Sequence, residues 1–235
     1  MVVAVVPALN EASTIGDVVR DAHAHVDIVV VIDDGSSDAT AQLAADAGAV
    51  VVSHPRRLGV GAAVATGLAR ARQLGATAVV QVDGDGQHDA ASIPALLREL
   101  GNGADFVVGD RFEHGFEMGA ARRVVTACFA RLISYRLGTR ISDPTSGFRA
   151  FNSRAVAALT PVFPLKYLSD TVEVLYLAAD HGLRVATVPV AMTARVAGKP
   201  SAGPIRSVGY AVRMLGIVAR HTFAHRRRIA NGQAT

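Results

Sequence analysis

The sequence predicts one α/β domain built on a mostly parallel central sheet with helices on both faces. Short runs of β-branched residues alternate with stretches that have the composition of helices, which is the pattern of strands buried on both faces. The chain has 235 residues, half of them hydrophobic, which is enough to bury the core of such a domain. No internal repeat or low-complexity linker interrupts it.

The predicted elements follow in strand–helix order through the first half of the chain. Strands are expected at 2–6, 28–32, 49–53, 78–82 and 105–109, and helices at 13–25, 38–47, 59–74 and 90–100. The second half is less regular, with helices at 120–137 and 168–181, a loop at 143–149 and a late strand at 185–190 that can join the same sheet. We assign residues 1–203 to the α/β domain and residues 204–235 to a basic amphipathic helix and tail.

Composition excludes several classes of protein. The single cysteine, Cys128, rules out an internal disulfide framework and a multi-cysteine zinc site, and it suits a reducing compartment. Aromatic residues are few and tryptophan is absent, which argues against a stacking surface for nucleic acid. The chain begins with a strand pattern and not with the segments of a signal peptide. We therefore expect a cytoplasmic protein that does not bind nucleic acid.

Charge separates the end of the chain from the rest. Residues 181–235 carry nine basic side chains and no acidic one, whereas all the acidic side chains lie in residues 1–180, where they outnumber the basic ones. Arginine recurs every seven residues from Arg206 to Arg227, so a helix here would carry one basic stripe among apolar residues. Because arginine interrupts every apolar window long enough to span a bilayer, we expect peripheral contact with the inner face of the membrane. Packing on the domain or on a second copy of the chain is the alternative.

The most informative segment is the acidic loop after the fourth strand, residues 82–89. Ligands of parallel sheets bind beyond the carboxyl ends of the strands, and this loop is predicted there. Asp83 and Asp85 can approach one hard cation, with Gly84 permitting a tight backbone and Gln87 adding a neutral oxygen. Such a cation, Mg²⁺ or Mn²⁺, can bridge two phosphates. A solvated turn is the alternative if this loop is considered alone.

Two further polar loops are predicted at the same edge of the sheet. Asp34, in the stretch DDGSSD, can accept hydrogen bonds from a base or a ribose, although helix capping also explains residues 36–38. Asn10 and Glu11 add an amide and a carboxylate after the first strand. Three such loops on one edge indicate a site for a metal-bound nucleotide. The glycine-rich stretch 59–67 has Val64 in place of the third glycine of a dinucleotide loop, so close helix–sheet packing explains it better.

These motifs resemble those of the family-2 inverting glycosyltransferases of the GT-A fold, above all the dolichyl- or polyprenyl-phosphate mannose synthases. The matching stretches occur in family order and are PALNE (7–11), IDDGSSDAT (32–40), LGVGAAVATG (58–67), QVDGDGQHD (81–89), GDR (109–111), DPTSGFRAFN (143–152) and RVAGKPS (195–201). The family often has serine where this chain has Asp110.

The resemblance implies a role for each matching position. Pro7, Ala8, Asn10, Glu11 and Asp34 would line the nucleotide pocket, and Asp83, Asp85 and Gln87 would hold Mg²⁺ or Mn²⁺ against the diphosphate, with Gly84 between them. Arg111 and Arg149 would meet phosphate groups, while Arg195 and Lys199 would lie on a mobile loop near the nucleotide-sugar donor. Residues 1–203 would then be a GT-A catalytic domain.

The implied reaction is transfer of a hexose from a donor such as GDP-mannose or UDP-glucose to a polyprenyl phosphate. A lipid phosphate is already ionised near neutral pH and needs positive groups to place it, for which Arg111 and Arg149 are the candidates. An alcohol acceptor would need a carboxylate base, and Asp143 and Asp170 remain equal candidates. Glu173 is a candidate to bind sugar hydroxyls, and His88 to support the metal ligands.

Three alternatives remain open. A nucleotidyltransferase also uses paired acids and a metal, but it would need a glycine-rich basic loop that PALNEAS does not provide. A family-2 enzyme acting on a soluble sugar, nucleoside or secondary metabolite would share the same donor site. A non-catalytic sensor would bind the nucleotide-sugar and transfer nothing.

Overall fold

The structure, a computed structural model, describes residues 1–112, 120–165, 169–192 and Gly216. The strands of this part of the chain are β1 (Val2–Ala8), β2 (Ile28–Asp33), β3 (Val50–Ser53), β4 (Ala78–Gln81), β5 (Phe106–Asp110), β6 (Arg149–Asn152) and β7 (Val185–Pro189). The α-helices are α1 (Ile15–His23), α2 (Thr40–Asp46), α3 (Val60–Gln73), α4 (Ile93–Gly101), α5 (Ala120–Leu137), α6 (Ser153–Leu159) and α7 (Ser169–Asp180). Short 3₁₀ turns lie at Ala90–Ser92 and Thr160–Val162.

The seven strands form one sheet in the order β3-β2-β1-β4-β6-β5-β7. All neighbouring pairs are parallel except the two that β6 makes with β4 and β5. The predicted α/β class with a mostly parallel sheet is therefore confirmed, and the late strand joins the sheet beside β5 as expected. The carboxyl ends of β1, β2, β4 and β5 share one edge, so the three polar loops that were predicted to meet, after β1, β2 and β4, do follow strands of one sheet.

The strand β6 and the helix α6 were not predicted. The region was expected to be a loop as far as residue 149, but Arg149 pairs in register with Gln81 and Val108. Because β6 runs antiparallel to its neighbours, its first residue lies at the edge where the parallel strands end. The loop that precedes β6 therefore lies at the candidate site.

Apolar side chains alternate along the central strands to fill both faces of the sheet. Val6 and Val80 belong to a buried cluster with Ile93 of α4, while Val5 points to the other face, where α3 crosses β1. Phe106 and Phe151 stack across β5 and β6 with ring centroids 4.5 Å apart. Burial of this kind stabilises the fold by about 1.5–3 kcal/mol for each large side chain.

Close packing explains the glycine-rich start of α3, as predicted. A β-carbon on Gly67 would lie 2.1 Å from Cγ1 of Val5, and one on Gly61 would lie 2.4 Å from the carbonyl oxygen of Pro164. The helix can therefore approach both β1 and the segment after α6 only without side chains at these positions.

No helix of the described ranges is long and apolar enough to cross a membrane. The predicted helix and tail at 204–235 lie outside the described residues, apart from Gly216, as does the boundary at residue 203. Both stay predictions.

We expect Gly67→Ala to lower the free energy of unfolding by about 1–3 kcal/mol, because the added methyl group overpacks the contact between α3 and β1. Gly101→Ala is the matched control, since nothing lies within 4 Å of that position and the exchange there should be neutral or stabilising by up to about 1 kcal/mol. Urea unfolding followed by circular dichroism measures both variants. Equal stability of the two would contradict the packing account.

Candidate active site

Hydrogen bonds join the loops that follow β1 and β2. Asn10 has a positive φ of 56°, and its side-chain oxygen accepts a hydrogen bond of 2.8 Å from the backbone N–H of Ser37. The backbone N–H groups of Asn10 and Glu11 donate to Ser36 Oγ at 2.9 Å and to Thr40 Oγ1 at 2.8 Å. The structure thus brings together the two polar loops that the sequence placed on one edge.

The carboxylate of Asp34 is buried and bound by protein groups. Its Oδ1 accepts hydrogen bonds from the backbone N–H of Leu58 and from His54 Nδ1, both at 2.8 Å, and its Oδ2 accepts one from the N–H of Gly59 at 2.7 Å. Asp34 thus holds the loop that leads into α3, and its predicted contact with a nucleotide stays a prediction. His54, whose Nε2 lies 3.0 Å from Thr66 Oγ1, was missed by the sequence reasoning. Its place directly after β3, at the carboxyl edge, was the available signal.

The acidic loop after β4 is anchored to the end of β1 and the start of α1. The backbone N–H of Gly84 donates to the carbonyl of Pro7 at 3.3 Å, and Thr14 Oγ1 donates to the carbonyl of Gly84 at 2.8 Å. A β-carbon on Gly84 would lie 3.1 Å from the Pro7 oxygen and 3.2 Å from Cβ of Ala8. A side chain here would crowd the end of β1, so glycine lets the acidic loop lie close against the first-strand loop.

His88 positions Asp83. The ring nitrogen Nδ1 of His88 accepts a hydrogen bond of 3.0 Å from the backbone N–H of Asp83, which assigns the proton of the neutral ring to Nε2. Nε2 lies 3.6 Å from Asp83 Oδ2. Burial lowers the pKa of His88, while the carboxylates of Asp83 and Asp85 oppose this shift. The ring stacks on Phe148 at 4.8 Å between centroids. His88 is thus a neutral, fixed support beside a predicted metal ligand.

The glycine of the loop before β6 lies directly against Asp83. A β-carbon on Gly147 would come within 2.7 Å of Asp83 Oδ2 and 2.9 Å of Oδ1. The side chain of Asp83 keeps 37% of its surface exposed, so the carboxylate remains open to solvent at the edge of the sheet. Gly147 lies in the matching stretch 143–152 but was not a predicted site residue, because nothing in the sequence shows which loop approaches Asp83.

The residues fit a divalent cation that binds together with phosphate groups. No three histidine, cysteine, aspartate or glutamate side chains of the described segments are grouped closely enough to hold a metal by themselves. Mg²⁺ usually takes one or two carboxylates and completes its shell with water and substrate phosphates. Asp83 and Asp85 can supply such a pair. Gln87 follows in a turn that is closed by its backbone N–H, which donates to Asp85 Oδ1 at 3.1 Å.

Arg111 is held by a buried carboxylate at the same edge. Its Nε and Nη2 donate to Asp143 at 2.5 and 2.9 Å, and Nη2 also donates to Thr145 Oγ1 at 2.9 Å. Asp143 is fully buried, and 11% of the Arg111 side chain is exposed. Because both oxygens of Asp143 accept hydrogen bonds from Arg111, the geometry does not support Asp143 as a catalytic base. Asp110, which replaces a serine common in the family, accepts hydrogen bonds from Ser142 and from the N–H of Phe112.

Arg149 is likewise held by groups of the protein. Its side chain is fully buried, and its Nε, Nη1 and Nη2 donate to the carbonyls of Ser146, Asp170 and Thr171 at 2.7, 2.8 and 3.0 Å. Burial lowers the pKa of the guanidinium to about 10, so it remains charged at neutral pH. Arg149 thus connects the loop before β6 with α7, and its predicted contact with phosphate stays a prediction.

The remaining predicted site residues divide into two groups. Pro7 and Ala8 end β1 beside the acidic loop, and Glu173 is half-buried in α7. Arg195 and Lys199 lie outside the described residues, and their roles stay predictions.

Comparison with known proteins shows a family match and several similar sequences. The family described as glycosyl transferase family 2 matches residues 3–160. The polyprenol monophosphomannose synthase of Mycolicibacterium smegmatis is 30% identical over 92% of this chain and 87% of its own length. The UDP-N-acetylglucosamine–dolichyl-phosphate N-acetylglucosaminyltransferase of Methanococcus voltae is 28% identical over 79% of this chain and 83% of its own length.

Solved structures of glucosyl-3-phosphoglycerate synthase from Mycobacterium tuberculosis share the fold. One contains phosphoglyceric acid, is 25% identical, and covers 94% of this chain and 79% of its own, with a TM-score of 0.72. Another contains Mn²⁺, UDP and phosphoglyceric acid, with the same identity and TM-score over 94% of this chain and 78% of that one.

We expect Gly147→Ala to weaken binding of Mn²⁺ in the presence of UDP or GDP by about tenfold, because the new methyl group displaces the carboxylate of Asp83. Free Mn²⁺ is measured by electron paramagnetic resonance. Gly101→Ala serves as the control and should bind as the unaltered chain does. Unchanged Mn²⁺ affinity in Gly147→Ala would show that Asp83 does not contribute to the metal site.

We expect Arg149→Lys to lower the free energy of unfolding by about 2–5 kcal/mol, because an ammonium group cannot serve three buried carbonyls and leaves some of them unpaired. Exposed Arg140→Lys is the control and should change it by less than about 0.5 kcal/mol. Chemical denaturation measures both. Full stability of Arg149→Lys with loss of catalysis would restore a direct role for this arginine in binding phosphate.

Proposed function

Because the chain belongs to glycosyl transferase family 2 and is a glycosyltransferase, we propose that it moves a hexose from a nucleotide-diphosphate sugar to a polyprenyl phosphate. The observation that carries the proposal is the acidic loop at the carboxyl edge, where Asp83 lies between Gly147 and His88 and stays open to solvent. The names of the similar transferases, which act on dolichyl phosphate and polyprenol, support the lipid acceptor.

The donor would bind across the ends of β1, β2 and β4. Pro7, Ala8, Asn10 and Glu11 would line the nucleotide side, and Gly84 would let the acidic loop approach the diphosphate. Asp83, Asp85 and Gln87 would hold Mg²⁺ or Mn²⁺, which when bound offsets the negative charge that develops on the departing nucleoside diphosphate. The presence of Mn²⁺ and UDP in a structure of similar fold supports this arrangement.

The acceptor oxygen would attack C1 of the sugar in one displacement. A new bond forms between the phosphate oxygen and C1, the bond from C1 to the donor diphosphate breaks, and the nucleoside diphosphate leaves with the electron pair. This inverts the configuration at C1. An ionised phosphate needs no base, which agrees with Asp143 being taken up by Arg111.

Arg111 would supply the positive charge that places the acceptor or donor phosphate. Its guanidinium is oriented by Asp143 and Thr145, so it loses little freedom when it meets an anion. Arg149 holds the loop that carries Asp143 and takes no direct part. Arg195 and Lys199 would add positive charge near the donor, and residues 204–235 would bring peripheral contact with the inner face of the membrane.

A soluble phosphorylated acceptor is the second candidate. The similarity of fold to glucosyl-3-phosphoglycerate synthase, which is solved with phosphoglyceric acid, favours it over other soluble acceptors. The donor site and the metal would be the same, so only the acceptor distinguishes the two functions.

A transfer assay tests the proposal. The purified chain with Mn²⁺ is given GDP-mannose, UDP-glucose or UDP-N-acetylglucosamine, each with a short polyprenyl phosphate or with 3-phosphoglycerate, and products are read by mass spectrometry. We expect a sugar-phosphate lipid with one donor, lost with EDTA. A product formed with 3-phosphoglycerate and not with polyprenyl phosphate would show that the acceptor is soluble. Donor binding without transfer or hydrolysis would indicate a sensor.

Asp85→Asn separates the role of this carboxylate from the effect of charge. We expect it to fold normally and to lose at least about a hundredfold in transfer rate, because a metal ligand is removed. Asp89→Asn removes the same charge four residues away, where the side chain caps a 3₁₀ turn by accepting the N–H of Ala91, and should retain activity within about threefold. Equal activity of the two variants would contradict the metal assignment.

A further inference from the structure

One face of α5 presents apolar and basic side chains to solvent. Phe129 and Ile133 are buried beneath the helix, whereas Arg131, Leu132 and Tyr135 are exposed. Tyr135 keeps 92% of its surface free and Leu132 keeps 44%. Within the described part of the chain the ring of Tyr135 packs on almost nothing, and tyrosine, with an apolar ring and a polar hydroxyl, suits a boundary between apolar and aqueous surroundings.

The charged side chains of α5 and of the loop that follows it have one sign. Residues 118–142 include five arginines and no aspartate or glutamate. Arg136 pairs with Asp180 at 2.7 Å, but the exposed Arg123, Arg131 and Arg140 form no ion pair with an acidic residue of the described ranges. We call Arg123, Arg131, Leu132, Tyr135 and Arg140 the α5 face.

We propose that the α5 face docks on the surface of an anionic lipid bilayer. Arginines attract the headgroups of acidic lipids, and tyrosine and leucine enter the boundary between headgroups and acyl chains. A second copy of the chain fits less well, because a symmetric contact through this face would bring each Arg131 towards the basic side chains of its twin. The inference rests in part on the proposed lipid acceptor, which it extends by naming a surface of the domain that meets the membrane.

Hydrogen bonds connect the α5 face to the candidate active site. Ser134 Oγ accepts the N–H of Ile141 at 2.9 Å and so folds the following loop back onto the helix. The next two residues lie at the end of β5. There Ser142 donates a hydrogen bond to Asp110, and Asp143 accepts a hydrogen bond from Arg111. The chain from Tyr135 to Asp143 spans at most about 28 Å. Docking through α5 would therefore hold the phosphate-placing arginine near the headgroup layer.

A single tryptophan tests the contact at the position where it should occur, because the chain has none of its own. Tyr135→Trp is introduced into the full chain, with Leu43→Trp on α2 as the matched control, since Leu43 is an exposed apolar residue of another helix. Vesicles of phosphatidylcholine mixed with phosphatidylglycerol are compared with vesicles of phosphatidylcholine alone, and brominated lipids serve as quenchers.

We expect the emission of Tyr135→Trp to shift to the blue and to be quenched on anionic vesicles only, with no change for Leu43→Trp. Arg131→Glu should weaken binding to these vesicles by at least fivefold, and Arg98→Glu on α4 should leave it unchanged. Sedimentation of Tyr135→Trp with vesicles while its emission stays unshifted would overturn the proposal in favour of another surface, and absence of sedimentation would overturn it outright. A concentration-dependent shift without lipid would replace the bilayer with a second copy of the chain.

Failure of the docking proposal is distinguishable from failure of the proposed function. Transfer to a short polyprenyl phosphate dissolved in detergent needs no bilayer, so Arg131→Glu should retain it. Transfer in detergent with no emission shift in Tyr135→Trp would contradict docking through the α5 face and support the proposed enzyme activity. An emission shift without any transfer would support docking through the α5 face and contradict the lipid acceptor.

Discussion

The buried guanidinium of Arg149 donates hydrogen bonds to three backbone carbonyls, one in the loop before β6 and two at the start of α7. A charge without partners at this depth would cost several kcal/mol, so the loop and the helix are constrained to the positions where their carbonyls face it. That constraint fixes the loop at the carboxyl edge of the sheet. Gly147 then lies against Asp83, and Asp143 lies where it can bind Arg111. Both halves of the candidate site depend on this one side chain.

The charged residues at this edge thus fall into two groups, those that are buried and those that keep exposed surface. Asp34, Asp143 and Arg149 are buried, and their hydrogen bonds to other parts of the protein give the site its shape. Asp83 keeps part of its surface exposed, on a loop held by hydrogen bonds to the carbonyl of Pro7 and to Thr14. It is therefore held in position while its carboxylate stays accessible to a ligand. A site that is to receive a metal with a diphosphate needs such carboxylates, held by neighbours and still open to the ligand.

The sequence predicted the fold well where periodicity decides it. Runs such as 28–32 became buried parallel strands, and the polar loops after them met at one edge because parallel strands share their carboxyl ends. It failed at β6, a short strand whose antiparallel pairing depends on partners distant in sequence. The protein partners of Asp34 and Arg149 were missed for the same reason. Residue type shows that a carboxylate or guanidinium can bind a ligand, but it does not show that backbone groups more than twenty residues away bind both side chains.

We propose that Asp83 and Asp85 hold a divalent cation against a nucleoside diphosphate at the edge organised by Arg149. The most direct measurement is the anomalous scattering of Mn²⁺ in crystals grown with Mn²⁺ and UDP or GDP. Our account predicts a manganese peak beside the carboxylates of Asp83 and Asp85, in contact with the diphosphate, with Gly147 still packed on Asp83. An ordered nucleoside diphosphate with manganese bound elsewhere, or with no manganese beside these carboxylates, would contradict it.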